Sequence, residues 1–469
     1  MSDKRYQGNI ISKTPVTPTA NAAKGVWSLA EAKAFKAATL WPTLPDAPTI
    51  GTASSGNTSA TVPFTVPTNL YGGTAQYTAT SNPSGVTGTA SSSPVTVTGL
   101  TNGTAYTFTV TATTGAGTGA ASSASNSITP ALGDIAVTAG GFNASQTHGG
   151  IEYVIISSLG NAQDWGNLTV ARKGVASGAS TTRAVFAYGE TSGSSNSNVI
   201  DYVSLTSAGN ATDFGDMGAS KNNSAGASNG TLAVFSRQNF SAGAYDYVTI
   251  ASTGNSTSWG TSTRVNETVG TCASPTYGYW CGGDTPVNVI EYLTWSSTGN
   301  GADWGDLTAA STTATGCSSN TRGVIQLAYV SGSNVNTIDY FALNSTGNAS
   351  DFGDLSAAKQ RPGAASSLVR GVFAGGVVPS VHNVIQYITI ASTGNATDFG
   401  DLTDERRAPG GASTNIRGLI AGGYANPATV ATIDYITIAS TGNVTDFGDL
   451  SGVRAVSYTH LTLPTTPYV

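Results

Sequence analysis

The feature that most constrains the fold is a tyrosine followed twelve residues later by tryptophan or phenylalanine. The pattern occurs seven times, and successive tyrosines are 45 to 49 residues apart. The pairs are Tyr153/Trp165, Tyr202/Phe214, Tyr247/Trp259, Tyr292/Trp304, Tyr340/Phe352, Tyr387/Phe399 and Tyr435/Phe447. Such regularity indicates one structural unit repeated seven times.

Each repeat contains four strand-like runs, of which the last copy is the clearest. Its second to fourth runs are Arg417–Gly423, Ile433–Ile438 and Thr445–Leu450, and the first run precedes them. A period of 40–50 residues with four strands predicts the blades of a β-propeller. The first unit begins at Asp134 without a first strand. We therefore expect a seven-bladed ring closed by a strand beyond Leu450, or, as the alternative, an eighth repeat that is missing from this chain.

Glycine doublets follow the second run in four units, at Gly140-Gly141, Gly282-Gly283, Gly375-Gly376 and Gly422-Gly423. The other three units read Tyr188-Gly189, Ser236-Arg237 and Ala328-Tyr329 at this place. Glycine there indicates close packing between neighbouring units or a positive φ at the end of a strand. With the tyrosine and the later aromatic residue, the doublet resembles the kelch repeat. The resemblance implies a kelch-like propeller over residues 133–455.

The two ends of the predicted blades differ in their loops. All seven units keep a Gly-Asn pair between the third and fourth runs, whereas the segments between the second and third runs differ in every unit. A variable loop face on a uniform scaffold favours recognition by the variable face. Its candidate binding residues are Phe240, His382 and Tyr424, because aromatic rings with nearby amides and hydroxyls suit sugars. Ordinary drift of loops between repeats is the alternative.

Residues 46–131 predict a β-sandwich, from short alternating runs at 59–66, 75–80, 94–100 and 105–113 separated by turn residues. The segment from Leu100 to Tyr106 resembles the tyrosine corner of a fibronectin type III domain. In that resemblance Phe64 takes the place of the family's buried tryptophan and Tyr77 that of its core tyrosine. We expect this domain to act as a spacer.

Residues 1–45 predict an extended arm with one short helix. Ser28 and Glu31 have the spacing of a capping box, and residues 30–38 are good helix formers. Trp27, Phe35 and Trp41 leave this helix with apolar side chains that it cannot bury alone. The arm either docks on a partner protein or packs on its own chain. Its sequence resembles the start of structural proteins from marine tailed phages.

Residues 456–469 match nothing upstream and resemble the translation of a sequencing adapter. The resemblance implies that the natural chain was interrupted near Ala455, and a genuine Thr/Pro-rich tail is the alternative. We leave this segment out of the fold prediction.

Composition excludes several classes of function. Only 10% of residues are charged and the net charge is −6, which argues against a nucleic-acid-binding protein. Three cysteines cannot make a disulfide framework or by themselves a four-ligand zinc site, and the two histidines outside the last segment, His148 and His382, provide few groups for catalysis. No apolar run is long enough for membrane insertion. The four Asp-Phe-Gly triplets lack the other motifs of a kinase. Asp-x-x-Asp pairs such as Asp398/Asp401 supply too few oxygens for a calcium ion, and turn capping explains them better. We expect no catalytic, cofactor or metal site.

Together these features predict an all-β, non-enzymatic structural protein of a virion, such as a tail-fibre or surface-appendage subunit. It would assemble in the host cytoplasm, contact other virion proteins through residues 1–45, and bind a host receptor or glycan through the propeller. A bacterial surface adhesin and a propeller enzyme, either an oxidase or a glycosidase, are the alternatives.

Overall fold

The computed structural model describes residues 29–37, 43–70, 73–130, 134–143, 146–222, 224–237, 243–263, 270–283 and 286–455. The chain divides into two compact units, Met1–Gly133 and Asp134–Val469. Both are built from β-strands. In the part of the chain that is described, no helix has the length and apolar character needed to cross a bilayer.

The first unit contains one helix and nine strands. They are α1 (Leu29–Ala37), β1 (Thr49–Ile50), β2 (Ser54–Gly56), β3 (Ser59–Val62), β4 (Phe64–Thr65), β5 (Gln76–Asn82), β6 (Thr87–Ala90), β7 (Val95–Thr98), β8 (Thr107–Thr114) and β9 (Gly117–Thr118). The predicted helix is therefore present. Trp27, Trp41, Ser28 and the side chain of Phe35 lie outside the described residues.

Two larger antiparallel sheets, with strand orders β2-β3-β7 and β6-β5-β8-β9, enclose the core of the first unit. The rings of Phe64 and Tyr77 lie 4.5 Å apart within it. The hydroxyl of buried Tyr106 accepts a hydrogen bond of 3.2 Å from the backbone N–H of Thr101, as a tyrosine corner requires. Strand β6 was not predicted, because Thr87–Ala90 has no alternation of apolar and polar residues.

The second unit contains 31 strands among its described residues. They are β10 (Ile135–Ala139), β11 (Gly150–Ile155), β12 (Gln163–Asn167), β13 (Ala176–Ala179), β14 (Arg183–Ala187), β15 (Ser197–Ser204), β16 (Thr212–Lys221), β17 (Gly226–Ser228), β18 (Leu232–Arg237), β19 (Ala244–Thr249), β20 (Thr257–Thr261), β21 (Gly270–Ala273), β22 (Tyr277–Cys281), β23 (Val287–Thr294), β24 (Ala302–Thr312), β25 (Thr315–Ser318), β26 (Arg322–Gln326), β27 (Tyr329–Val330), β28 (Ser333–Asn334), β29 (Thr337–Ala342), β30 (Ser350–Asp354), β31 (Gly363–Ser366), β32 (Arg370–Ala374), β33 (Val384–Thr389), β34 (Thr397–Asp401), β35 (Gly410–Ser413), β36 (Arg417–Ala421), β37 (Tyr424–Ala425), β38 (Ala428–Thr429), β39 (Thr432–Thr437) and β40 (Thr445–Asp449).

These strands form seven antiparallel sheets, one for each sequence repeat. Sheet 1 has three strands, β10-β11-β12; sheets 2 to 7 are β13 to β16, β17 to β20, β21 to β24, β25-β26-β29-β30, β31 to β34 and β35-β36-β39-β40. The hairpin β27–β28 adds to the edge of sheet 4, while β37 and β38 form a separate pair. The first strands of sheets 2 to 7 contact one another in succession.

The aromatic residue of each Tyr-to-aromatic pair is the extra residue of a β-bulge in the fourth strand. In sheet 6, Ile385 pairs with Gly400 and Gln386 pairs with Asp398, so Phe399 between them is unpaired and points into the core. The same register shift occurs in the other six sheets. The aromatic residues are therefore interior, as predicted.

The tyrosines of these pairs are only half-buried, which corrects the prediction that both members belong to the core. Each tyrosine packs edge-to-face against its aromatic partner, and in sheet 6 the ring centroids of Tyr387 and Phe399 are 5.9 Å apart. The guanidinium of Arg370 covers the tyrosine ring at 4.3 Å. Arg370 also donates to the carbonyl of Ile438 in sheet 7, so the tyrosine supports a contact between sheets.

The residue before each repeat tyrosine is polar and buried in all seven sheets. These residues are Glu152, Asp201, Asp246, Glu291, Asp339, Gln386 and Asp434. Three of them form buried ion pairs: Arg172–Asp201 at 2.8 Å, Arg406–Asp434 at 2.5 Å and Arg454–Glu152 at 2.9 Å. Burial raises the pKa of Asp201 and of Asp434, and the paired guanidinium opposes that shift.

Three hydrogen bonds join each sheet to the next at the end that carries the Gly-Asn turns. The glycine N–H of the turn donates to the carbonyl of the bulged aromatic residue in the preceding sheet, at 2.7–3.0 Å. The asparagine side-chain oxygen accepts from a fourth-strand N–H, at 2.9–3.1 Å. A third bond follows two residues after the glycine. The seventh sheet makes the same three bonds to the first, through Gly160, Asn161 and Ala162.

Both glycines of three doublets, and Gly282 of the fourth, have positive φ, one of the two roles predicted for them. Gly375 and Gly376 have φ of +66° and +115°, and a Cβ on Gly375 would lie 2.4 Å from the carbonyl oxygen of Arg406. The second repeat keeps this conformation without the doublet, because Tyr188 adopts φ +63° before Gly189. Conformation is therefore preserved more widely than the Gly-Gly sequence.

In the fifth repeat, the predicted position of the glycine doublet is wrong by one residue. Thr315 pairs with Gln326 as Gly410 pairs with Ala421 in the seventh repeat. Because the doublet directly follows Ala421, the equivalent positions in the fifth unit are Leu327 and Ala328 rather than Ala328 and Tyr329. Tyr329 then corresponds to Tyr424.

Sheet 1 has no first strand among the described residues, as its sequence predicts. Ala455 and Phe142 exchange backbone hydrogen bonds of 2.9 and 3.3 Å beside it. The closing strand was predicted beyond Leu450, where residues 451–455 form only an isolated bridge at Ala455. The rest of that region, including the adapter-like residues 456–469, lies outside the described part of the chain.

Candidate functional site

The second unit contains a cavity of about 800 Å³ between the first strands of its sheets. The walls come from β13, β17, β21, β25, β31 and β35, which contribute mainly glycine, alanine, serine and cysteine. Small side chains leave this space open because larger ones would fill it. A volume of this size can hold a small ligand or one or two sugar rings.

The mouth of the cavity lies at the end of the sheets that carries the variable loops between second and third strands. We define it by seven of the lining residues outside the first strands: Phe142, Lys173, Glu190, Thr313, Arg361, Ala408 and Ala455. Five equivalent backbone pairings hold the chain there, each to a residue just after a second strand; in four of them the partner lies just before a first strand, and in the fifth it is Ala455. They are Lys173 with Glu190, Thr312 with Tyr329, Gln360 with Val377, Arg407 with Tyr424 and Ala455 with Phe142.

The residue after each of four such pairings is left-handed. Gly174, Thr313, Arg361 and Ala408 have φ of +66°, +54°, +53° and +49°. Only the first is a glycine, so the other three carry a conformational cost. A backbone hydrogen bond of 2.8 Å from the N–H of Ala408 to the carbonyl of Arg361 joins two of these positions.

Lys173 and Glu190 form an ion pair at the mouth, with Nζ and Oε1 3.0 Å apart. Asn222 donates a second hydrogen bond to Glu190, and the ammonium group of Lys173 lies 4.7 Å from the ring centroid of Phe142. The hydrogen bond from Lys173 lowers the pKa of Glu190, so this carboxylate stays ionised. Phe142 is 36% exposed.

Arg407 and Tyr424 form a second cation–aromatic pair, with the guanidinium carbon 4.9 Å from the ring centroid. Tyr424 begins the short hairpin β37–β38, and its backbone exchanges two hydrogen bonds with Arg407. Aromatic rings and cations thus alternate around part of the mouth.

The opposite end of the sheets is occupied by contacts within the protein. Every Gly-Asn turn there bonds to the neighbouring sheet. In three of the four Asp-Phe-Gly triplets the aspartate accepts from the glycine N–H two residues later, as Asp213 does from Gly215 at 3.0 Å. These bonds span the β-bulge of the fourth strand rather than a turn, and the candidate site lies at the variable end.

The three predicted binding residues have different positions. Phe240 lies outside the described residues. His382 belongs to its own loop: Nε2 contacts the carbonyl oxygen of Val378 at 2.8 Å, and its backbone carbonyl accepts from the N–H of Arg406. Tyr424 lies beside the mouth. The prediction therefore brings one described residue to the site and one to a supporting loop.

Sequence reasoning missed Phe142 and Tyr329, which correspond structurally to Tyr424. The available signal was the residue that follows each glycine doublet, since Phe142 follows Gly140-Gly141 as Tyr424 follows Gly422-Gly423. Tyr329 was hidden by the one-residue offset in the fifth unit.

Two thiols, Cys272 and Cys317, are part of the cavity walls. Among the described residues, no group of three or more His, Cys, Asp and Glu side chains could hold a metal ion. Cys272 and Cys317 are buried free thiols whose pKa values are raised, in Cys317 to about 12 by burial. Such thiols are poor nucleophiles at neutral pH.

Comparison with known proteins identifies the first unit's sheets. Residues 46–128 match the family model described as Fibronectin type III domain, so this part of the chain is a fibronectin type III domain. No curated protein sequence matches the chain. A solved structure described as "Structure of YjhT" is similar at 12% identity and a TM-score of 0.46, covering 60% of this chain and 98% of that one.

Proposed function

We propose that the protein is a non-enzymatic structural subunit of a tailed-phage virion, such as a tail fibre or other surface appendage. In this proposal residues 134–455 form a seven-bladed, kelch-like β-propeller that binds a receptor or glycan. The fibronectin type III domain is a spacer, and residues 1–45 contact other virion proteins. Assembly takes place in the host cytoplasm.

The propeller part of the proposal rests on the contacts that connect successive sheets. One set of three hydrogen bonds recurs seven times, and its last occurrence joins sheet 7 to sheet 1 through Asn161 and Asp449. A repeated contact that returns to its starting unit is the arrangement of blades around an axis. The open cavity between the first strands then corresponds to the central channel.

The binding function rests on one observation, the difference between the two ends of the sheets. One end is covered by identical turns that bond to each other's sheets. The other opens into a cavity of about 800 Å³ bordered by loops of variable sequence, with Phe142 in its lining and Tyr424 stacked on Arg407, the residue before the lining residue Ala408. Aromatic faces stack on the C–H faces of sugars, and neighbouring amides and hydroxyls bind their hydroxyl groups.

A glycan array probed with the full chain tests the binding function. We expect selective binding that falls at least roughly 10-fold in the Phe142→Ala/Tyr424→Ala variant, since each lost aromatic stack is worth about 1 kcal/mol or more. Leu159→Ala is the matched control, because Leu159 is 55% exposed on a Gly-Asn turn at the opposite end. Loss of binding in Leu159→Ala alone would assign recognition to the other end.

The virion assignment needs a separate test. Sequencing the intact gene with its neighbours should find tail or capsid genes beside it. A neighbouring secretion or surface-anchoring operon would contradict the virion assignment and support a bacterial adhesin.

A further inference from the structure

Positive charge is concentrated at the mouth of the cavity in a chain whose net charge is −6. Two cations line the mouth, Lys173 and Arg361, and Arg407 lies directly before the lining residue Ala408. Glu190 is the single carboxylate among the described lining residues. This local excess of cations has no counterpart in the overall composition.

The carboxylate neutralises only one of these cations. Glu190 pairs with Lys173 at 3.0 Å. Arg361 is exposed, and within the described residues its guanidinium has neither a hydrogen-bond partner nor an ion-pair partner. Arg407 stacks on Tyr424 and likewise has no carboxylate partner in that part of the chain. Two guanidinium groups are therefore available to an anion.

The backbone brings these two arginines together. The carbonyl of Arg361 accepts a hydrogen bond of 2.8 Å from the N–H of Ala408, the residue that follows Arg407. Arg361 holds φ +53°, a conformation that costs energy for any residue with a Cβ. Gly174, at the equivalent position in sheet 2, adopts the same left-handed conformation without this cost. Strain of this kind is concentrated at functional sites.

The surroundings suit an anion that is attached to a sugar. The cavity walls that follow Arg361 along β31 are small and uncharged, with Ala364 and Ala365 in the lining, and the hydroxyl groups of Ser318, Ser366 and Ser413 lie at the far ends of their first strands. Guanidinium groups bind carboxylate and sulfate oxygens through paired N–H donors. Aromatic rings at Phe142 and Tyr424 can hold the sugar ring at the same time.

We propose that the mouth of the cavity selects an anionic polysaccharide, in which Arg361 and Arg407 bind a sulfate or carboxylate substituent. This inference rests on the proposed glycan-binding function and names its ligand class. Sulfate esters and uronate carboxylates share the chemistry that the two arginines recognise, and the experiment separates them.

The test measures binding of the full chain to immobilised dextran sulfate, alginate and dextran, which carry sulfate, carboxylate and no charge. We expect binding to dextran sulfate, alginate or both, and none to dextran. Arg361→Gly suits the left-handed backbone and should weaken binding by roughly 10-fold or more, as expected for losing a charge-assisted hydrogen bond. Arg407→Gln removes the other guanidinium group and should also weaken binding. It leaves the backbone pairing with Tyr424 intact.

Two further variants separate specific recognition from general attraction between charges. Arg361→Lys keeps the charge and should retain most of the binding. Lys33→Ala removes one exposed cation from helix α1 and should change binding less than about twofold. Equal losses in Arg361→Gly and Lys33→Ala would overturn the proposal.

Failure of this inference can be distinguished from failure of the proposed function. If dextran binds as tightly as the charged polymers, or if Arg361→Gly binds like the wild type while Phe142→Ala/Tyr424→Ala is impaired, the anionic class is wrong and glycan binding stands. If the wild type binds none of these polymers and no array glycan, both proposals are wrong.

Discussion

The side-chain oxygen of Asn161 accepts a hydrogen bond of 3.0 Å from the backbone N–H of Asp449, although the two residues are 288 positions apart. The same bond joins neighbouring sheets at six other places, for example from Asp354 N–H to Asn395. This contact spans 39 to 43 positions in six cases and 288 in the seventh. It connects the end of the repeat region to its beginning.

Asn161→Ala and Asn395→Ala form a matched pair that tests this connection. Each removes one bond between an amide side chain and a backbone N–H that water can reach, so each should lower the free energy of unfolding by about 0.5–1.5 kcal/mol. Urea unfolding of the two variants provides the measurement. An effect confined to Asn395→Ala would show that sheet 7 does not bond to sheet 1 in solution.

Gly448→Ala should be more damaging than Gly442→Ala. Both glycines have positive φ, +140° and +154°, which costs an alanine about 1–3 kcal/mol. A Cβ on Gly448 would also lie 2.6 Å from the backbone of Gly160 in sheet 1, whereas a Cβ on Gly442 meets nothing within 4 Å. We expect an additional loss of about 1–3 kcal/mol in Gly448→Ala, measured by the same urea titration. Equal losses would mean that the close approach is absent.

The spacing of Tyr387 and Phe399 was sufficient to predict one strand pair in each repeat, because twelve residues accommodate a hairpin and its turn. It could not reveal that Phe399 is the extra residue of a bulge. Bulge geometry depends on the pairing of Ile385 with Gly400, and the sequence shows only that a glycine follows.

The candidate site was harder to predict because its residues come from different repeats. Lys173 and Phe142 belong to adjacent repeats, and their contact depends on how sheets 1 and 2 pack. The left-handed backbone of Arg361 also gives no sequence signal, because arginine is not a residue that favours it. By contrast, the aspartate or glutamate before the repeat tyrosine was readable in the sequence, and its burial could have been predicted from its recurrence.

Phe399→Ala and Tyr387→Ala should differ in their effects on stability. Phe399 is 3% exposed, and truncating a core aromatic residue costs about 3–5 kcal/mol. Tyr387 contributes mainly its edge-to-face contact and the cation–π contact with Arg370, so its loss should cost about 1–2 kcal/mol. Free energies of unfolding from urea titration test both values. A loss well under 1 kcal/mol for Phe399→Ala would contradict its interior position.

Lys359 should make stability depend on pH in the alkaline range. It lies four residues before the first strand of sheet 6, as Arg406 does before the first strand of sheet 7. Arg406 pairs with Asp434, but the equivalent residue in sheet 6 is the uncharged Gln386. Lys359 is only 2% exposed, and burial lowers its pKa to about 8, against a weaker opposing attraction from Asp398. Its ammonium group has one long contact, 3.4 Å to the carbonyl of Val384.

The direction of the effect follows from proton binding. Below pH 8 the lysine is charged in both states, and the folded state carries the full cost of the buried charge. Between pH 8 and about 10.5 the unfolded chain binds more protons than the folded one, so stability rises with pH and then levels off. Relative to Lys359→Met, which lacks this group, the wild type should gain about 3 kcal/mol between pH 7 and 10.5. Chemical unfolding of both proteins at several pH values measures the difference, in which the other titrating groups cancel. A difference that stays constant across this range would show that Lys359 keeps its usual pKa and is hydrated in the folded protein.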